Sequence, residues 1–152
     1  MRVWRLSNYR DLSGRGGLVA SGRWHNRGRA VVYCAESFAL ARIEVEEGLG
    51  LPPLLWPDSF CLLRISVPAT ATVEELAPQD LPDSWRDDPL VTRRIGDAWL
   101  RGTSAPLLRV PSARAQGFNY LINPVHRLAD FLEVERVFTL DEMLAGDVSE
   151  RG

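Results

Sequence analysis

Between residues 30 and 47 the chain passes from a strand into a helix with barely a pivot, and any fold open to it must house that unit. Residues 30–35 read as the strand, with Val31, Tyr33 and Ala35 on one face under the two-residue period of extended backbone. Ser37 or Glu36 opens the helix, which runs to about Glu47 and is stopped by Gly48 and Gly50. At roughly 100° per residue, Arg42 and Glu46 form an i, i+4 pair of solvated charges. Glu44 points instead to the apolar side, between Leu40 and Ala41 in projection. A carboxylate aimed inward costs free energy unless it is paired or used.

The remaining elements alternate irregularly. Residues 3–6 read as a first strand, and residues 10–22, rich in Gly, Ser and Arg, as a loop bringing backbone close to something. Residues 60–67 form a strand closed by Pro68, and residues 70–88 a surface connection. Asp88-Pro89 caps a helix that ends at Gly102 and turns Leu90, Ile95, Ala98 and Trp99 inward. Short strands follow at 107–110 and 119–122. A longer one spans 131–140, with Leu132, Val134, Arg136 and Phe138 opposing Glu133, Glu135 and Val137, before a closing helical turn at 141–144. Without regular β-α-β alternation the fold class is α+β, a single compact domain over residues 1–145, with a frayed tail at 146–152. No Gly-x-Gly-x-x-Gly follows a strand, which argues against a Rossmann site.

A chain of 152 residues buries roughly 68–70% of its unfolded surface, enough for one real core. A net charge of −2 argues against an electrostatically driven nucleic-acid binder. All 18 basic residues are arginine, which excludes a lysine Schiff base and a lysine-based phosphate loop. Cys34 and Cys61 fall in strands and read as small core hydrophobes of a reduced, cytoplasmic protein. No run approaches the ~18 apolar residues of a membrane span, and the N-terminus lacks a signal peptide's apolar core. Two histidines and two scattered cysteines offer no zinc site.

Candidates for chemistry cluster around the strand-to-helix unit. Arg23 follows Gly22 in a loop, where a guanidinium offers planar, paired donors to a diphosphate. Trp24 reads as core, and His25, beside two arginines, as a phosphate contact or loop structure. Tyr33 offers either a core aromatic or a flat face for a ring to stack on. Arg5 is an oddly placed strand charge that needs a partner, for which a phosphate or Glu44 would serve. Ser112 follows a strand without a Gly-x-Ser-x-Gly elbow, so a serine hydrolase is disfavoured. Asn119, Asn123 and His126 flank Pro124 in a turn and read first as loop hydrogen bonding. A fixed cation, an aromatic face and a carboxylate together suit splitting a phosphate-bearing nucleoside at its glycosidic bond.

Several ordered pieces carry a resemblance: Trp4-Arg5-Leu6, the stretch from Gly22 to Gly28, Val31-Val32-Tyr33, Ala41-Arg42-Ile43-Glu44, Gly96-Asp97-Ala98-Trp99, Val110-Pro111-Ser112-Ala113 and Asn119-Tyr120-Leu121-Ile122-Asn123-Pro124-Val125-His126. In this order, over about residues 2–142, the chain resembles the RES-domain family, the toxin half of RES–Xre toxin–antitoxin pairs. The family's arginine, glutamate and serine match Arg23 (with Arg5 as a second arginine), Glu44 and Ser112, and its active-site tyrosine matches Tyr33. The resemblance implies a fold related to ADP-ribosyltransferases and an activity that consumes NAD as substrate, by hydrolysis, phosphorolysis or ADP-ribosyl transfer to a protein. It further implies NAD contacts at Arg5, Arg23, Tyr33, Ser112, His25 and Asn119, no metal, and an Xre-like helix-turn-helix antitoxin over the active site. Self-association is a further expectation, with no sequence patch specifying an oligomer. A nucleotide-binding module without turnover, or a structural subunit, would be the rival readings.

Overall fold

The strand that opens the chain lies deep inside the sheet, which forces everything after it to wrap outward. The computed structural model describes residues 1–102 and 104–148. Its strands are β1 (Arg2–Ser7), β2 (Val32–Ala35), β3 (Cys61–Ser66), β4 (Val73–Glu75), β5 (Leu107–Pro111), β6 (Phe118–Ile122) and β7 (Glu133–Thr139). They form one mixed sheet in the order β4-β5-β6-β2-β1-β3-β7, antiparallel throughout except for β4 beside β5. Four α-helices accompany it among the described residues: α1 (Gly16–Val19), α2 (Phe38–Leu49), α3 (Pro89–Gly102) and α4 (Leu140–Leu144). The architecture is the expected single α+β domain.

Local chemistry sets the helix ends. The Ser37 hydroxyl accepts from the Leu40 amide at 3.1 Å, and Gly50 closes α2 in the left-handed region at φ 67°. Thr139 and Glu142 form a capping box at the start of α4. No helix is long and apolar enough to cross a membrane among the described residues.

Sequence expectations change in several places. β4 lies inside the stretch read as a surface connection; three residues are too few to display a strand period. The alternation over 131–140 is broken where the β3–β7 register shifts between Arg64 and Ile65, leaving Glu135 as the extra residue. Val134 and Val137 therefore pack on one side of the sheet and Phe138 on the other. In α3, Leu90 is 70% exposed and Ala98 is exposed, whereas Thr92, Gly96, Trp99 and Leu100 are buried. The tail expected from residue 146 has Asp147 donating its amide to Glu142 and Val148 against the core, and residues 149–152 lie outside the described residues.

Strand register decides which side chains share a face. Trp4 sits opposite Ala35, Ala35 opposite Asn119, and Asn119 opposite Val110, so these residues point the same way. Tyr33, Leu121 and Leu108 join them one period along. On this face α2 covers one end, where Trp4, Leu6 and Ala35 pack with Leu40 and Ala41. The Trp24 loop and α3 cover the other, where Trp24, Trp85 and Trp99 pack with Leu108 and Leu121. β1 and β2 share one residue pair and then part. A cleft remains between the two covers, floored by Tyr33 and Asn119. The opposite face holds a separate cluster that includes Val3, Cys34 and Leu63.

Candidate active site

Tyr33 is aimed by a hydrogen-bond network behind it. Its hydroxyl lies 2.7 Å from His25 Nδ1 and accepts from the Trp24 amide at 3.1 Å. His25 Nε2 lies 3.1 Å from the Gly17 carbonyl, which can only accept, so Nε2 carries the proton and Nδ1 accepts from tyrosine. Burial is the main cause pushing the Tyr33 phenol well above its ordinary pKa, so the hydroxyl stays neutral and only the ring remains for a ligand. Gly22 is required here: a Cβ would stand 2.4 Å from the Tyr33 hydroxyl oxygen. Tyr33→Phe would leave the Trp24 amide without its partner, so we expect about 1–3 kcal/mol of lost stability. Thermal unfolding checks this, and an unchanged midpoint would count against the network.

The same network corrects the reading of His25 as a phosphate contact. It is 1% exposed, with both ring nitrogens engaged, and stands behind Tyr33 rather than in the cleft.

Arg23 is held by α3, a helix that sequence reasoning did not connect to it. Thr92 donates its hydroxyl to the Arg23 carbonyl at 2.5 Å, and Arg93 Nε donates to the Gly22 carbonyl at 2.8 Å. Asp97 accepts from the Asn26 amide at 3.0 Å and from its side chain at 2.7 Å. Between these contacts Gly96 lets the Trp24 carbonyl lie directly against the helix. Arg23 itself donates from Nη1 to the Arg86 carbonyl at 2.8 Å and makes no ion pair with the described residues. An isolated glycine inside a helical pattern signals close packing, and Gly96 was the available clue to this clamp.

Glu44 enters the cleft from α2 with its side chain about one quarter exposed. Ser112 accepts from the amides of Arg114 and Ala115 at 3.2 Å each, which leaves its proton for Glu44 Oε1 at 2.5 Å. Asn119 Nδ2 donates to the same oxygen at 3.0 Å. Glu44 Oε2 faces Arg114, whose Nε is 3.5 Å away. Asn119, which reads from the sequence as a loop hydrogen-bonding residue, lies instead on β6, paired with Ala35 and Val110, and serves the carboxylate. Its Oδ1 is buried without a partner among the described residues. Asn123 and His126 do serve the turn, bonding Val125 and Leu128 amides and the Leu100 carbonyl.

Two adjoining concavities meet at Tyr33, Glu44 and Asn119. One, of about 220 Å³, is walled by Gly22, Arg23, Trp24 and Arg114. The other, of about 120 Å³, is apolar, with Trp4, Leu6, Ala35, Ala41 and Val45. Cys34 also borders it, but burial pushes its thiol up to about 12, so it offers no nucleophile. Arg5 borders neither. It shares the face of Val3, donates from Nε to Ser7 at 3.0 Å, and leaves Nη1 buried and unpartnered among the described residues. Glu44, on the other side of the sheet, is not its counter-ion.

The cleft thus sets a fixed carboxylate beside an aromatic face, with arginines on one side and an apolar wall on the other. A model of the RES domain matches residues 2–142. The chain belongs to the RES-domain family. The RES domain here is 43% identical to a Pseudomonas putida protein named Toxin Res, covering 95% of this chain and 99% of that one. It is 36% identical to a Sphingobium sp. protein named Prs ADP-ribosylating toxin, covering 84% and 81%. Among solved structures, its fold resembles that of the M. tuberculosis MbcT–MbcA toxin–antitoxin complex. The TM-score is 0.76 at 20% identity, over 96% of this chain and 87% of that one.

Proposed function

We propose that this protein is the toxin of a toxin–antitoxin pair and acts in the cytoplasm by breaking the nicotinamide–ribose bond of NAD. The observation that carries the reading is Glu44, held by Ser112 and Asn119 where the arginine-lined and apolar concavities meet. The name of the Pseudomonas relative supports a toxin, and that of the Sphingobium relative an ADP-ribosylating one.

In this mechanism nicotinamide stacks on the Tyr33 ring against the apolar wall, and Arg23 holds the diphosphate. The bond from ribose C1′ to the nicotinamide nitrogen breaks, and its electron pair leaves with nicotinamide, which thereby loses its positive charge. Positive charge develops on C1′ and the ring oxygen, as in glycoside hydrolysis. The Glu44 carboxylate stabilises that charge, a fixed group already oriented before the reaction. Asn119, through Nδ2, and Ser112, through its hydroxyl, act by holding Glu44 rather than on NAD. An oxygen of water or phosphate then attacks C1′ and, when water attacks, releases a proton to solvent. No step calls on a metal, because cationic nicotinamide is already a good leaving group.

A second reading is ADP-ribosyl transfer to a protein, favoured by the name of the Sphingobium relative. An Xre-like antitoxin covering the cleft would complete the pair; the toxin–antitoxin complex among similar folds supports an antitoxin partner. The test is NAD loss by purified protein, with and without phosphate. Loss in either buffer supports cleavage and its products name the acceptor, whereas stable NAD in both, with normal growth on unpartnered expression, overturns it. Arg23→Ala should raise the KM for NAD at least about tenfold with a smaller change in kcat, and unchanged kinetics would remove Arg23 from the site.

A further inference from the structure

Glu44 has one oxygen occupied by permanent partners and one occupied by an arginine that no role yet explains. Oε1 takes the hydrogen bonds of Ser112, just beyond β5, and of Asn119 on β6. Oε2 meets Arg114, whose side chain is 37% exposed and whose Nε lies 3.5 Å away. Exposed pairs of this kind contribute about 0–1 kcal/mol, so the contact is easily exchanged. The backbone beneath Arg114 is fixed, because its own amide and that of Ala115 are bonded to Ser112 Oγ, and the Ser112 amide is bonded to the Gly117 carbonyl. The side chain can therefore change partners without the loop moving.

Arg114 also stands at a junction. It borders the concavity that holds Arg23 and Glu44, and it borders a neighbouring one of about 290 Å³ with Arg86 and Gln116. A ligand reaching from Glu44 past Arg23 toward that second hollow would bring its phosphates within reach of the Arg114 guanidinium. Phosphate offers paired, fully charged acceptors that match a guanidinium fork better than a long, half-solvated contact to one carboxylate oxygen.

We propose that Arg114 selects for diphosphate-bearing substrates by resting on Glu44 in the free protein and transferring to the diphosphate when one binds. This rests on the NAD-cleaving reading of the site. While Arg114 lies on Oε2, its charge offsets the carboxylate that must stabilise the cationic ribose, so a nucleoside without phosphates meets a weakened Glu44. A substrate with a diphosphate draws the guanidinium away and releases the carboxylate to act. Arg114 is thus a specificity-determining residue, distinct from Arg23, whose carbonyl is held by Thr92 of α3 and whose guanidinium donates to the Arg86 carbonyl.

The experiment compares NAD with nicotinamide riboside, which keeps the scissile bond and lacks phosphate, on wild type, Arg114→Ala and Arg114→Lys. Titration of ADP-ribose into each protein gives affinity independently of turnover, and thermal unfolding confirms the fold. The expected result is a loss of about tenfold or more in kcat/KM for NAD in Arg114→Ala, carried mainly by KM, with matching weakening of ADP-ribose. Turnover of the riboside holds or rises, so the preference for NAD collapses, and Arg114→Lys keeps part of it. Equal losses on both substrates would reduce Arg114 to a support for Glu44 and overturn the proposal, as would unchanged NAD kinetics. Arg114-dependent binding of ADP-ribose by a protein that leaves NAD intact would overturn the cleavage reading while supporting the selection. A wild type that neither binds nor cleaves would overturn both.

Discussion

Glu44→Gln is expected to lower NAD turnover by about three orders of magnitude or more, equivalent to roughly 4 kcal/mol in the barrier. Glutamine keeps the length and shape of the side chain, and its carbonyl can still accept from Ser112 and Asn119, which now bond Oε1 at 2.5 and 3.0 Å. What it removes is the negative charge facing the bond that breaks. It also replaces Oε2 with an amide whose protons oppose the Arg114 guanidinium, 3.5 Å away in the parent. Because that pair is partly exposed, its loss should hardly move the unfolding midpoint. The measurement is therefore paired: NAD consumption collapses, while thermal unfolding and ADP-ribose affinity stay near wild type. Turnover within tenfold of wild type would show that the carboxylate is not the group that stabilises the ribose cation. Loss of activity together with loss of fold would assign Glu44 a structural role instead.

Glu44 was legible in the sequence because a helix has a computable period: Leu40 and Ala41 mark the buried side, and a carboxylate projected between them demands a reason. Tyr33 was legible as a strand residue whose neighbours alternate. Neither pattern could say which atoms of Tyr33 face the ligand. That answer depends on His25, Gly17 and Gly22, whose loops meet only after folding, and it turns His25 from a ligand contact into the support behind the ring. Arg5 was read as needing a phosphate or Glu44 because strand position alone does not reveal which face of the sheet α2 covers. The register Trp4 opposite Ala35 puts Arg5 on the other side. β4 and the bulge at Glu135 escaped for a related reason, since both are defined by what a partner strand does and leave little trace in a short local pattern.

Gly96→Ala should disable the site from a distance. A Cβ at this position would stand 1.6 Å from the Trp24 carbonyl oxygen and 2.7 Å from its carbonyl carbon. Those are backbone atoms, so no side-chain rotation relieves the clash, and the loop must lift from α3. Overpacking usually costs about 1–3 kcal/mol and occasionally more, and the upper end is expected here. For a chain of this size that is roughly 6–12 °C in the unfolding midpoint. The kinetic consequence follows from what else α3 holds. Thr92 and Arg93 bond the carbonyls of Arg23 and Gly22, and Asp97 bonds Asn26, so lifting Trp24 loosens all three contacts together. Arg23 then loses its fixed position at the cleft, and the Trp24 amide draws away from the Tyr33 hydroxyl it now meets at 3.1 Å. The KM for NAD should rise at least as far as in Arg23→Ala even at temperatures where the variant is fully folded. Asp97→Asn separates the two effects, since it keeps the Trp24 contact and weakens only the Asn26 anchor. It should therefore raise KM less and leave the midpoint nearly unchanged. If Gly96→Ala binds and cleaves NAD as wild type does while folded, α3 is merely a packing element and the placement of Arg23 has another source.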